Sequence, residues 1–170
     1  MNVADKFKIK DILGILLVII IIFLIKKFLI LTVYIPSGSM IPTLKPGNVV
    51  VATKVYKPRD LKRGDIVIFR SNERNENMIK RLIGLPGDEI EVKGTLLYVN
   101  GKKLDEPYIK NNIDFEGTYK VPNEEYFFLG DNRASSLDSR FWNDPYISAN
   151  NIIGKAQFRI WPLNSIEFLK

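Results

Sequence analysis

A mainly antiparallel β domain carried by one N-terminal membrane helix is the fold class that three features of the sequence predict. Residues 12–35 are almost wholly apolar, and after Pro36 the chain breaks into short β-type runs bounded by Gly, Pro, Asn or Asp. Asn100-Gly101 separates Leu96-Leu97-Tyr98-Val99 from Lys102-Lys103-Leu104, a hairpin signal because both turn positions tolerate positive φ. A length of 170 residues suits one ordinary domain with an appended element.

The apolar segment is interrupted only by Gly14, the Lys26-Lys27 pair and Thr32. Its unbroken part, 12–25, is shorter than the roughly 20 residues that cross a bilayer core. Lysine stems snorkel, so the pair is expected at the interface, with the helix running on past it. This predicts a transmembrane helix over 12–33, a cytoplasmic segment over 1–11 and a β-rich domain over 34–170. A cleaved signal peptide is the alternative suggested by Lys6, Lys8 and Lys10, but no small-x-small site follows the apolar core. A buried globular helix is another, but the isoleucine run 19–22 makes the helix apolar all round, which suits lipid better. Lysines flank both ends of the segment, so charge alone leaves the orientation open.

Strands are expected over 48–52, 65–70, 78–85, 89–93, 96–99, 126–129 and 152–161. Residues 94–122 are more polar and are expected to form a small excursion from the main sheet.

The chain has no cysteine and no histidine. These absences exclude disulfides, thiolate nucleophiles, the usual general base and the usual transition-metal ligands. Any catalysis must run on carboxylates, hydroxyls, lysines, tyrosines or the backbone, and neither a cofactor nor a metal is expected. A net charge of +6 suggests an acidic partner. The cations are scattered rather than striped, which favours membrane lipids over nucleic acid.

Three segments carry candidate chemistry. Ser37-Gly38-Ser39-Met40 with Pro42-Thr43-Leu44 reads blandly as a Ser/Gly turn. Its functional reading is a sharp turn that presents Ser39 while nearby N–H and hydroxyl groups remain free to hold an oxyanion. Without histidine, the base for such a serine is Asp, Glu or a neutral lysine. Met78-Ile79-Lys80-Arg81-Leu82-Ile83 is a strand-like run with two cations inside an apolar pattern; they are either buried or a solvated surface pair. Arginine does not deprotonate in proteins, so Lys80 is the only credible base of the two. Gly130-Asp131-Asn132-Arg133-Ala134-Ser135-Ser136-Leu137-Asp138-Ser139-Arg140 is either a polar surface loop or a support for the other two segments.

In this order, and after an N-terminal anchor, these segments resemble type I signal peptidases, which remove signal peptides from exported preproteins. Arg63-Gly64-Asp65-Ile66-Val67 and Gly84-Leu85-Pro86-Gly87-Asp88 add to the resemblance, which covers roughly residues 12–162. It implies a signal-peptidase-like β fold, with Ser39 as nucleophile and Lys80 as base. The Ser39 amide and Ser37 hydroxyl would form the oxyanion hole, and Ser136 would orient the lysine. Arg81, Asp131, Arg133, Asp138 and Arg140 would give structural support. The matching pocket positions are Ile35, Met40, Leu44, Ile68 and Ile79, bulky walls that leave space only for small side chains. The implied partners are preprotein signal peptides with small residues at positions −3 and −1, and the implied location is the cell membrane with an extracytoplasmic catalytic domain. The single anchor and short excursion are similar to the compact form common in Gram-positive bacteria. Ala134-Ser135 departs from the polar Asp/Asn-type residues often found there. Two alternatives remain open from sequence: another Ser-Lys processing peptidase and a non-catalytic membrane-tethered β module.

Overall fold

The computed structural model of the chain describes residues 9–169, so most of the expected cytoplasmic segment 1–11 lies outside the described residues. Helix α1, Ile9–Phe28, has Asp11 in its first turn and Lys26 and Lys27 in its last, each at the end of the helix dipole that favours its charge. Between them, apolar side chains from Ile12 to Ile25 are exposed on every side. Among the described residues no helix is long and apolar enough to cross a membrane.

The helix does not continue to residue 33. It stops at Phe28, and Ile30–Tyr34 form strand β1, paired antiparallel with β2, Val49–Lys54, from Ile30 opposite Thr53 to Tyr34 opposite Val49. Ile30, Thr32 and Val33 are β-branched, and the ladder to β2 supplies the long-range bonds that a local helical reading overlooks.

The remaining strands are β3 (Ile66–Ser71), β4 (Glu76–Gly84), β5 (Glu89–Gly94), β6 (Leu96–Val99), β7 (Lys102–Lys103), β8 (Phe115–Lys120), β9 (Glu125–Leu129), β10 (Ile147–Ser148), β11 (Ile152–Trp161) and β12 (Glu167–Phe168). The larger sheet runs β1-β2-β11-β3-β4-β9-β10, with β12 paired to β11; the smaller runs β7-β6-β5-β8. All the strand pairings described are antiparallel. The hairpin at Asn100-Gly101 joins β6 to β7 with φ of 51° and 74°, as its sequence demands. The polar excursion proves larger than residues 94–122, because its central strand is β5, which starts at Glu89 and pairs with β6 and β8.

The central strands are buried on both faces. In β3, Ile66 and Ile68 join a cluster with Ile35, Met40, Leu44, Val50, Ala52, Ile79 and Ala156, while Val67 and Phe69 join Leu82, Tyr126, Phe128 and Trp142 on the other side. In β9, Tyr126 and Phe128 belong to that second cluster and Phe127 and Leu129 to a third, shared with the small sheet. Strand β4 lies between β3 and β9, so any polar side chain in its second half is deprived of water by the packing around it.

Candidate active site

Ser39 sits in the run of turns between β1 and β2. Met40 and Leu44 are fully buried in the first apolar cluster, and Leu44 N donates to Met40 O at 2.8 Å, so the turn is pinned on both sides of Thr43. Lys80 is in β4, opposite Val67 of β3, and is only 3% exposed. Its Nζ lies 2.5 Å from Ser39 Oγ. Burial pushes the ammonium down from 10.5 to about 8, against the opposing fields of Asp138, Glu76 and Asp131. The solvated-pair reading of Lys80 and Arg81 is thereby excluded, since both are buried.

Arg81, the next residue, holds the Ser39 turn indirectly. Its Nε and Nη2 donate to Asp131 Oδ1 and Oδ2 at 2.8 and 2.6 Å, and its Nη1 donates to Gly64 O at 2.8 Å. Asp131 is wholly buried and also accepts from Thr43 Oγ1 at 2.5 Å. One carboxylate thus ties the residue after Lys80 to the residue four after Ser39. Asn132 adds a second tie, its N donating to Ser39 O and its Nδ2 to Gly38 O, each at 3.0 Å. Neither Thr43 nor Asn132 was singled out for a role by its sequence context, although both lie inside the quoted segments.

The rest of the polar loop is internal rather than a surface loop. Asp138 accepts from Gly130 N and from Arg140 Nε and Nη2 at 2.8 to 2.9 Å, and Arg140 Nη2 also donates to Arg133 O. Arg133 donates to Gly130 O and forms a buried pair with Glu106, to which Tyr108 OH also donates. The Tyr108 ring lies 3.8 Å from the Arg81 guanidinium carbon. Glu106 and Tyr108 come from the excursion, where sequence gave no sign of a role. Asn111 reaches the Ala134-Ser135 departure directly, its O accepting from Ala134 N at 3.3 Å.

Ser136 is placed beside the pair but without the expected bond: its Oγ is buried and makes no hydrogen bond. Gly130 explains how it fits, because a Cβ there would overlap Ser136 Oγ and Cβ and Ser39 O. Ser37 is exposed, with Oγ 3.5 Å from Ser39 Oγ. Ile35, Met40, Leu44, Ile68 and Ile79 come together in one cluster, each 8% exposed or less, so they form closed apolar packing next to Ser39 rather than an open cleft. Leu31, Val33 and Leu169 pack against the same cluster.

Residues 9–161 match the family model described as signal peptidase, peptidase S26. Signal peptidase IB of Staphylococcus aureus (strain MRSA252) is 37% identical over 177 residues, spanning 92% of this chain and 91% of its own. Signal peptidase I of Leptolyngbya laminosa is 41% identical over 152 residues, spanning 84% of this chain and 74% of its own. A solved signal peptidase I from Enterococcus faecalis V583 is 32% identical and aligns with 56% of this chain and 95% of its own, at a TM-score of 0.48. The family match takes in every strand but β12 and every residue of the buried Ser39–Lys80 arrangement, and the protein therefore belongs to the signal peptidase family, peptidase S26.

Proposed function

We propose that the chain is a membrane-anchored type I signal peptidase in which neutral Lys80 activates Ser39 to cut signal peptides from exported preproteins. Family membership makes it a hydrolase of peptide bonds. The observation that carries the assignment of roles is the 2.5 Å contact between Lys80 Nζ and Ser39 Oγ in a chain with no histidine to act instead.

The chemistry follows from that contact. As Ser39 Oγ attacks the scissile carbonyl, its proton passes to Lys80 Nζ, which must first be unprotonated; a value of about 8 leaves a usable neutral fraction near neutral pH. The oxyanion is received by the Ser39 amide and the exposed Ser37 hydroxyl. Lys80 then returns the proton to the leaving amine, releasing the mature protein and leaving an ester on Ser39. Water attacks that ester, giving its proton to Lys80, and the signal peptide departs as a carboxylic acid while Ser39 recovers its proton. Arg81, Asp131, Arg133, Asp138 and Arg140 hold the two reacting side chains in register, and Ser136 packs against Gly130 beside the Ser39 carbonyl.

The substrate preference rests on the bulky cluster of Ile35, Met40, Leu44, Ile68 and Ile79. Opened by a bound peptide, such walls receive alanine-sized side chains at positions −3 and −1 and exclude larger ones. Anchorage rests on α1, whose exposed apolar surface has no partner within the chain among the described residues. Lys26 and Lys27 reach one interface by snorkelling, and this lets a short apolar run serve a full bilayer. Residues 1–11 then lie in the cytoplasm and the β domain outside.

Purified protein in detergent, given a preprotein with an Ala-x-Ala junction, tests the assignment. Ser39→Ala, Lys80→Ala and Lys80→Arg should each abolish cleavage, the last because arginine cannot accept the serine proton. Turnover by any of the three overturns the pairing of nucleophile and base.

A further inference from the structure

Three consecutive main-chain carbonyls at the end of α1 are each occupied by one short stretch of the β domain. Lys54 N donates to Leu29 O at 2.9 Å, Lys54 Nζ donates to Lys27 O at 2.6 Å and Tyr56 OH donates to Phe28 O at 2.6 Å. The last carbonyls of a helix lack partners within it, and at an exposed end water normally serves them. Here two side chains serve instead, although Tyr56 is 67% exposed and its hydroxyl has water within reach. The Lys54 ammonium also lies at the negative end of the helix dipole.

The joint is short as well as bonded. Only Leu29 separates α1 from β1, and the β1–β2 ladder begins at once with Ile30 opposite Thr53. Five residues of strand then lead to Ser39 through a turn pinned by Met40 and Leu44. A strand inside a sheet does not stretch, so the orientation of the whole β domain relative to α1 is decided at residues 27–29. Without the two side-chain bonds, rotation about Leu29 would swing the domain, and Ser39 with it.

We propose that Lys54 and Tyr56 are positioning residues that lock α1 to β2 and so hold Ser39 at a fixed height above the bilayer, selecting preproteins whose scissile bond lies at a matching distance from their own apolar segment. This rests on the reading of α1 as the anchor and of Ser39 and Lys80 as the reacting pair. The selection acts on substrate geometry and not on the chemistry at Ser39, because neither residue is in the reacting cluster.

The test uses the full chain in liposomes with a series of preproteins in which the spacer between apolar segment and Ala-x-Ala junction is lengthened or shortened residue by residue. A soluble Ala-x-Ala peptide serves as control. The unaltered protein should show a rate peaked at one spacer length. Tyr56→Phe removes one hydroxyl and Lys54→Met keeps the stem; together they should flatten the profile and lower its peak about tenfold, as an oriented encounter becomes a loosely tethered one. Soluble-peptide turnover and the thermal midpoint should stay unchanged, and Tyr56→Phe alone should give a smaller flattening. Superimposable spacer profiles, with soluble-peptide turnover intact in both proteins, overturn this inference alone. A flat profile for the unaltered protein also overturns it, and absence of Ser39-dependent cleavage of the soluble peptide overturns the dyad reading with it.

Discussion

At the scale of single residues, the site spends stability on reactivity. Holding a lysine at about 8 instead of 10.5 corresponds to about 3 kcal/mol of bias against its charged form. The sign follows from linkage: the folded state disfavours the proton, so the penalty is fully present below pH 8 and fades as pH rises from there to 10.5. Lys80→Met keeps an apolar stem and removes the charge, so it should raise unfolding free energy at pH 7 by on the order of 1–3 kcal/mol. Chemical denaturation at pH 7 and pH 10.5 checks this; the gain should shrink at the higher pH, and a variant less stable than the parent at pH 7 contradicts it. Ser39 and Lys80 stood out as candidates in the sequence because a chain without histidine or cysteine leaves few chemistries and because arginine cannot be a base, while their roles came from the resemblance to type I signal peptidases. What sequence could not give was Ser136's missing partner or the closure of the apolar pocket, since both depend on where neighbouring side chains come to rest.

At the scale of elements, Asp131 is the joint between the strand that carries Lys80 and the turn that carries Ser39. It is fully buried and holds Arg81 in a bidentate pair. Asp131→Asn keeps the shape but strips the Arg81 guanidinium of its carboxylate, and breaking a buried pair in this way costs about 3–5 kcal/mol. Because the Asp131 field raises the lysine's affinity for protons, the same variant should move the acidic limb of activity to lower pH. Unchanged stability by thermal unfolding, or a limb shifted upward, argues against this role. Strands β2, β3, β4, β9 and β11 of the main sheet were readable as apolar β-branched or aromatic runs between turn residues, whereas the two-residue strands β10 and β12 are too short to leave a pattern. Strand β1 was not, because Ile30–Tyr34 continues the apolar composition of α1 and only its partner β2, about twenty residues on, distinguishes strand from helix. The parts of Glu106 and Tyr108 were hidden for the same reason, since each acts on an arginine far away in sequence.

At the scale of the whole molecule, one apolar helix leads into a β domain through the edge strand β1, which fixes where the chain can be cut without damage. A truncated form starting at Leu29 keeps the β1–β2 ladder and should fold and cleave a soluble peptide. One starting at Tyr34 loses most of that ladder, bares the edge of β2 and removes Leu31 and Val33 from the cluster beside Ser39, so it should be less stable by several kcal/mol. Circular dichroism melts and peptide turnover separate the two; equal behaviour would make β1 dispensable. The Leu29 form should also lose far more activity on a membrane-bound preprotein than on the peptide, because the proposed anchor would confine enzyme and substrate to one surface. The overall class was legible because an apolar segment and turn-bounded β runs are composition-level signals. The extent of the small sheet was not, since Glu89 looks no different from the strand starts of the main sheet.

The central claim, that a neutral lysine is the base for Ser39, is tested most directly by kcat/KM against pH for the full chain in detergent with a short Ala-x-Ala peptide. The account predicts a rate that rises about tenfold per pH unit up to a limb near 8, where Lys80 loses its proton, and then levels off. A limb between about pH 4 and 5, where carboxylates titrate, would contradict it and transfer the role to an Asp or Glu.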